Sequence, residues 1–229
     1  MNLHYSIRKD WDLIESLIDN KSTTLDIGCG EGDLIQQLQN NRHADIRGVE
    51  INGELVRSAI SKGLSVIQGN AEKDLSQYCD QSFDYVILSQ TLQAMYNPKQ
   101  VLNELLRIGA KAIVSFPNFG HWRIRAQLLF KGKMPVTHEL PYAWYDTPNI
   151  HFFTLKDFLE MCRMSNIFIE RSIGLTSQGR QFEITSHTLT SNLITNEAIF
   201  LLSRKKYEPI KIKTKQKIFS GSAVIANQR

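Results

Sequence analysis

Cysteine is scarce in this chain of 229 residues. Its three thiols, Cys29, Cys79 and Cys162, lie far apart and form no CxxC pair. That excludes a disulfide framework, which needs an even and regularly spaced set, and a structural zinc site, which needs clustered Cys and His. Long apolar runs are missing as well, and no stretch approaches the roughly 20 residues of a membrane span. The N-terminus, MNLHYSIRKDWDLIESLI, has no uninterrupted apolar segment and no small-residue cleavage site, so a secretory signal is not expected. A cytoplasmic location follows by default. Internal repeats and low-complexity tracts are absent too, which argues against a solenoid or a linker-rich chain.

A net positive charge is lacking outside one place. The formal net charge is +4. From Arg204 onward eight Lys/Arg face a single acid, Glu208, so that stretch carries +7 and the rest of the chain −3. A mildly acidic body disfavours a nucleic-acid surface, which needs basic residues on the folded face. Residues 206–229 lack a periodic apolar face and repel one another, so they are expected to form a basic flexible tail after a domain over 1–205.

Across that domain short β-branched runs alternate with helical patterns, as in a parallel sheet with crossover helices. The expected strands are Thr23–Ile27, Ile46–Glu50, Leu64–Gln68, Phe83–Ser89, Ala112–Phe116, Ile167–Ile173 and Ala198–Ser203. Helices are expected over Asp33–Leu38 and Glu54–Lys62, the second stopped by Gly63. Asn97-Pro98 offers a capping side chain and a proline at the first helical position. Val101, Leu102, Leu105 and Leu106 follow at helical spacing. Thr154-Leu-Lys-Asp157 has the form of a capping box ahead of Leu155, Phe158, Leu159 and Cys162. The fold class is thus α/β, a doubly wound and mostly parallel seven-stranded sheet. Residues 117–153 interrupt the rhythm with four prolines and several large aromatic residues. An irregular segment of this length after the fifth strand is expected to be a lid or a binding surface.

The sharpest motif is Leu25-Asp26-Ile27-Gly28-Cys29-Gly30-Glu31-Gly32, where a strand gives way to a helix. Glycine there allows a tight turn and close approach of a ligand. The helix start offers free N–H groups. Dinucleotide enzymes use GxGxxG; this chain has an acid on the strand and then glycines at single-residue spacing. That pattern resembles the first motif of Rossmann-like methyltransferases, in which the acid lies near the methionine amino group of S-adenosylmethionine (SAM). Glu50 ends the second strand, 18 residues after Gly32, and a carboxylate there can accept both ribose hydroxyls. Asn70, after the third strand, can accept from the adenine amine, although methyltransferases usually place Asp at this point. The candidate ligand set is therefore Asp26, Gly28, Gly30, Gly32, Glu50, Asn70, Ala71 and Ser89, for SAM or S-adenosylhomocysteine. Cys29 is expected to be a small buried filler.

After the fourth strand stands Ser89-Gln-Thr-Leu-Gln-Ala94, not the Asn/Asp-Pro-Pro-aromatic turn of base-amine methyltransferases. No general base is evident there, and no catalytic residue is assigned. Methyl transfer needs little beyond alignment of nucleophile and sulfonium methyl, so catalysis is not excluded. His121, His138 and His151 could supply a base or an acceptor contact, or could simply pack the irregular segment; packing is the favoured reading of each.

LDIGCGEGDLI, FDYVILSQTLQA, IVSFPNFGHWRIR and MPVTHELPYAWYDTPNIHFFTLKDF together resemble the MetW family of methionine-biosynthesis proteins, from about Ile7 to Lys205. SFPNFGHW and PYAWYDTPNIH are the specific parts, since the glycine motif alone would match any methyltransferase. The resemblance implies a class I SAM-dependent methyltransferase fold and association with homoserine O-acetyltransferase. The expected function is a SAM-binding protein of methionine biosynthesis acting with that enzyme. The alternative is an active methyltransferase on a small molecule.

Overall fold

The computed structural model describes residues 9–137, 140–184 and 188–204. His138 and the basic tail therefore lie outside the described residues. The elements run α1 (Lys9–Ser16), β1 (Thr23–Ile27), α2 (Asp33–Arg42), β2 (Asp45–Glu50), α3 (Gly53–Ser61), β3 (Val66–Gln68), α4 (Ala71–Asp74), β4 (Phe83–Ser89), α5 (Pro98–Ile108), β5 (Gly109–Pro117), α6 (Trp122–Lys131), α7 (Leu155–Met164), β6 (Phe168–Leu175), β7 (Gln181–Glu183), α8 (Thr188–Ile194) and β8 (Glu197–Ser203).

The strands form one sheet in the order β3-β2-β1-β4-β5-β8-β6-β7. The first five are parallel, and β8, β6 and β7 join antiparallel. The order reverses between β1 and β4, which opens a crevice at their carboxyl ends. Among the described residues eight strands stand where seven were expected. The extra one, β7, is three residues paired back on β6 through a turn at Gly179, too short to show alternation in the sequence.

Both faces of the sheet are covered, so its central strands are nearly all apolar. Along β4, Val86 and Leu88 pack with Leu102, Leu105 and Phe158 on one face. Tyr85 and Ile87 pack with Ile14, Leu34 and Ile35 on the other. Phe116, Phe158 and Phe200 form a ring cluster with centroids 4.6–5.8 Å apart, an arrangement that adds to area burial.

Some helix ends follow their local chemistry and others do not. Thr154 and Asp157 form the reciprocal capping box at α7, and Gly63 adopts φ +79° just past α3. Pro98 opens α5, but Asn97 makes no side-chain cap. Its backbone N–H donates to Glu72 at 2.7 Å.

Residues 117–153 are less irregular than their sequence suggests, because α6 occupies ten of them. Only Ile124 of this helix is buried, and Leu129 and Phe130 face solvent. A helix without a buried stripe leaves no periodic signature. The remainder of the segment is irregular, and backbone bonds fasten it to the body, among them Asn118 N–H to the Asn196 carbonyl. Ile150 and His151 both donate to the carbonyl of Gln93, after β4.

Candidate functional site

The glycine loop sits at the β1 end of the crevice. Gly28 N–H donates to the Val49 carbonyl at 2.7 Å, which ties the loop to β2. Gly28, Gly30 and Gly32 all have positive φ, but their surroundings differ. A Cβ at Gly30 would meet nothing within 4 Å, whereas one at Gly32 would come within 2.4 Å of Leu64. Gly30 thus leaves open space above the loop. Gly32 lets the start of α2 pack against Leu64 and Ala59, so its Cα does not face the crevice. A Cβ at Gly28 would press on Thr91, whose hydroxyl donates to the Ser89 carbonyl.

Glu50 reaches across to this loop. One carboxylate oxygen accepts from Gly30 N–H at 3.0 Å and the other from Asn52 N–H at 2.9 Å. The group is almost wholly buried. Each oxygen keeps a lone-pair site after those bonds, so the carboxylate is fixed in orientation with acceptor capacity to spare. Asp26 is buried on β1, paired with Gly48 of β2. Asn70 stands at the end of the adjacent β3, where its side-chain oxygen caps α4 by accepting from Glu72 N–H. A carbonyl oxygen can accept a second bond. Ala71 opens α4 beside it. The exposed Ile51 directly after Glu50 supplies an apolar side chain.

Asp26, Gly28, Gly30, Glu50, Asn70 and Ala71 therefore gather at the ends of β1, β2 and β3. Gly32 does not join them, and neither does the hydroxyl of Ser89. That hydroxyl donates to Asp10 at 3.2 Å and meets Ser115 at 3.1 Å. Gly48, Thr91 and Asp10 escaped sequence reasoning. Gly48 alone had a signal, as an isolated glycine within a strand; a Cβ there would collide with the Cys29 sulfur.

Acids predominate around the loop, and Lys62 is the cation that bridges two of them. Burial, then the Asp26 and Glu50 carboxylates, push the Cys29 thiol well above its usual range. Glu31 and Asp33 flank the start of α2, where Lys62 bridges them. A helix start that already holds two acids is a poor seat for a pyrophosphate. The thiolate is the reactive form of cysteine, so Cys29 is expected to resist alkylation, as is Cys162, which burial pushes up to about 12. Iodoacetamide at neutral pH should label the exposed Cys79 first, with the other two slower by about tenfold or more until the chain unfolds. Mass spectrometry of a labelling time course checks the order.

Beyond the ends of β4, β5 and β8 lies a second feature, a cleft of about 1000 Å³. It is bounded by the 117–153 segment and lined in part by Asp10, Gln90, His121, Tyr142 and Glu197. His121 is buried, and its Nδ1 accepts from Arg123 N–H, which caps α6. His151 lies outside the cleft lining, with its Nε2 3.3 Å from the Tyr96 carbonyl.

The model of the family described as "Methionine biosynthesis protein MetW" matches residues 8–202. The chain belongs to the MetW family. One relative of this MetW chain is the "Bifunctional methionine biosynthesis protein MetXA/MetW" of Rhodopirellula baltica, 32% identical over 188 residues. The match takes in 78% of the MetW chain but only 30% of that relative's length. Among solved structures it resembles a SAM-dependent methyltransferase of Thermotoga maritima, a possible histamine N-methyltransferase, with TM-score 0.63 at 17% identity, covering 86% and 88% of the two chains. It also resembles the cyclase SpnF, with TM-score 0.60 at 17% identity, covering 86% and 80%. The fold is the class I SAM-dependent methyltransferase type. Among the described residues no helix is long and apolar enough to cross a membrane.

Proposed function

We propose that this MetW chain binds SAM or S-adenosylhomocysteine at the glycine loop and acts with homoserine O-acetyltransferase in methionine biosynthesis. The observation that carries the ligand is the Glu50 carboxylate, held by Gly30 N–H and Asn52 N–H across a loop that Asp26 also flanks. A sulfonium and an ammonium group suit that negative surrounding, and a dianionic pyrophosphate does not. In this reading Glu50 takes the two ribose hydroxyls, Asp26 attracts the methionine ammonium and Asn70 takes the adenine amine. Ala71 and Ile51 flank the base, and Gly30 leaves room for the backbone to come close. SAM would supply an activated methyl group there.

The relative that joins MetXA and MetW in one bifunctional chain supports association with the acetyltransferase. The surface that fits a partner is the 117–153 segment, where Trp144 and Tyr145 meet edge-on at 5.6 Å while largely exposed. Exposed aromatics of this kind are common interface anchors. Such a surface, near the carboxyl ends of the sheet, could report ligand occupancy. Sensing requires SAM to bind free and partnered forms with different affinity, because linkage is reciprocal.

The test is to titrate homoserine O-acetyltransferase against wild type and the W144A/Y145A double variant, with and without SAM. The double variant should bind at least about tenfold more weakly and keep the wild-type melting temperature. Equal binding overturns the interface. Saturating SAM that changes neither affinity nor acylation rate overturns the sensing. The cleft beyond β4 and β5 favours a second reading, a methyltransferase acting on a small molecule; demethylation of SAM in the presence of cell extract separates it from the first.

A further inference from the structure

α6 turns apolar side chains away from the body. Ile124 is buried, whereas Trp122, Leu129 and Phe130 are 51%, 77% and 83% exposed. Those three stand at positions i, i+7 and i+8, on one side of the helix, with Ile124 on the other. Apolar residues on two sides leave the sequence without a one-sided pattern. Past Gly132, which ends the helix, Met134 and Val136 are exposed as well.

Charge is just as uneven here. Residues 1–203 sum to −3, yet residues 117–137 hold Arg123, Arg125, Lys131 and Lys133 and no acid. Helical spacing puts Arg123 and Arg125 at either edge of the outward apolar side. Arg123 lies over the Trp122 ring, 5.4 Å from its centroid, and Arg125 Nε donates to the Gly120 carbonyl. Among the described residues none of the four cations pairs with an acid.

The sign of that charge selects the occupant. The stretch from Arg204 carries +7, so it is repelled from this face, and two copies meeting through α6 would oppose like charges. An anionic surface fits. A bilayer fits better than an acidic protein, because Lys is depleted from protein interfaces and Leu is under-represented among their energetic anchors. Lys and Arg beside Trp, Phe and Leu are instead the composition of a helix lying in a membrane interface. Their charged heads reach the headgroups while their stems stay on apolar surface. Stable anchoring takes two signals, and the +7 stretch supplies the second by attraction to the same surface.

We infer that α6 docks on the surface of an anionic bilayer, with Trp122, Leu129 and Phe130 at the headgroup boundary and the four cations on lipid phosphates. The helix lies on the membrane and does not cross it. The inference rests neither on SAM binding nor on the acetyltransferase, whose proposed anchors, Trp144 and Tyr145, lie outside α6.

The test sediments the full chain with sucrose-loaded vesicles of phosphatidylcholine, alone or mixed equally with phosphatidylglycerol. Mixed vesicles should carry down most of the protein at about 1 mM lipid, and pure phosphatidylcholine should bind at least about tenfold more weakly. Leu129→Ser with Phe130→Ser keeps every cation of the chain and should weaken binding to mixed vesicles at least about tenfold. Both side chains are exposed, so the melting temperature should match wild type. Arg123→Gln with Lys131→Gln should weaken the same binding at least about fivefold. The inference falls if wild type stays in solution at about 1 mM mixed lipid. It falls equally if the Leu129→Ser/Phe130→Ser variant sediments like wild type, since the charge beyond Arg204 would then account for the binding. Weaker binding of homoserine O-acetyltransferase by that vesicle-competent variant would make α6 a protein interface instead.

Discussion

Gly30→Val is expected to lower SAM affinity at least about a hundredfold, roughly 3 kcal/mol, while the chain stays folded. Gly30 has φ +58°, and a β-branched residue in the left-handed region costs roughly 1–2 kcal/mol before any ligand arrives, a strain that lowers stability; the loss of affinity comes from obstruction. The new side chain enters the open space that a Cβ at this position meets, where the ligand must approach. Gly30→Ala retains the backbone cost with a smaller obstruction, so its loss should be intermediate. Glu50→Ala should cost about 1–3 kcal/mol from the ribose hydroxyls left without acceptors. It also frees Gly30 N–H and Asn52 N–H, which the carboxylate holds, so the loop itself should loosen. Calorimetry of the three variants, with circular dichroism to establish folding, gives the comparison. Wild-type affinity in both Gly30→Val and Glu50→Ala would place SAM elsewhere. NADH should not bind detectably, and tighter binding of NADH than of SAM would show that the glycine spacing and its acids had been misread.

The loop and its acids could be read from the sequence because each feature is local. Asp26, the glycines and Glu50 lie at ends of strands whose apolar runs are unambiguous, and β1 and β4 begin and end where their composition changes. Other features depend on residues distant in the chain. Ser89 stands at the expected strand end, yet its hydroxyl turns to Asp10, 79 residues away. Gly32 belongs to the motif, but whether it faces ligand or core is decided by Leu64. Asn97 had the form of a cap, yet its side chain makes no capping bond. The cleft beyond β4, β5 and β8 was not legible at all, because Gln90 and Glu197 meet only when β8 inserts antiparallel beside β5. α6 was hidden for a different reason: it buries one residue, so helical periodicity had nothing to display.

Asn118→Ala is expected to destabilise the chain by about 4 kcal/mol, although the residue carries none of the proposed chemistry. Asn118 is buried just past β5, and all its side-chain bonding points inward. Its amide nitrogen donates to the carbonyls of Asn192 and Thr195 at 2.8 and 2.9 Å. Its oxygen accepts from the N–H groups of Gly120 and Leu155 at 3.0 and 2.9 Å. One side chain thereby joins the end of β5, the turn into α6, the first residue of α7 and the end of α8. Removing it leaves four backbone groups without these partners, and an unsatisfied buried group costs about 1–3 kcal/mol. Water entering the vacated space would recover part of that, which sets the expected loss below the full sum. For a chain of this size the melting temperature should fall by roughly 10 °C. Asn118→Asp discriminates further: it keeps the two acceptor bonds but sets a carboxylate against two carbonyl oxygens, so it should be no more stable than the alanine variant. Denaturant titration read through the midpoint at constant slope gives the free energies. A shift under about 1 kcal/mol for Asn118→Ala would mean that the 117–153 segment is held to the body by its aromatic contacts and the Gln93 carbonyl, not by this asparagine.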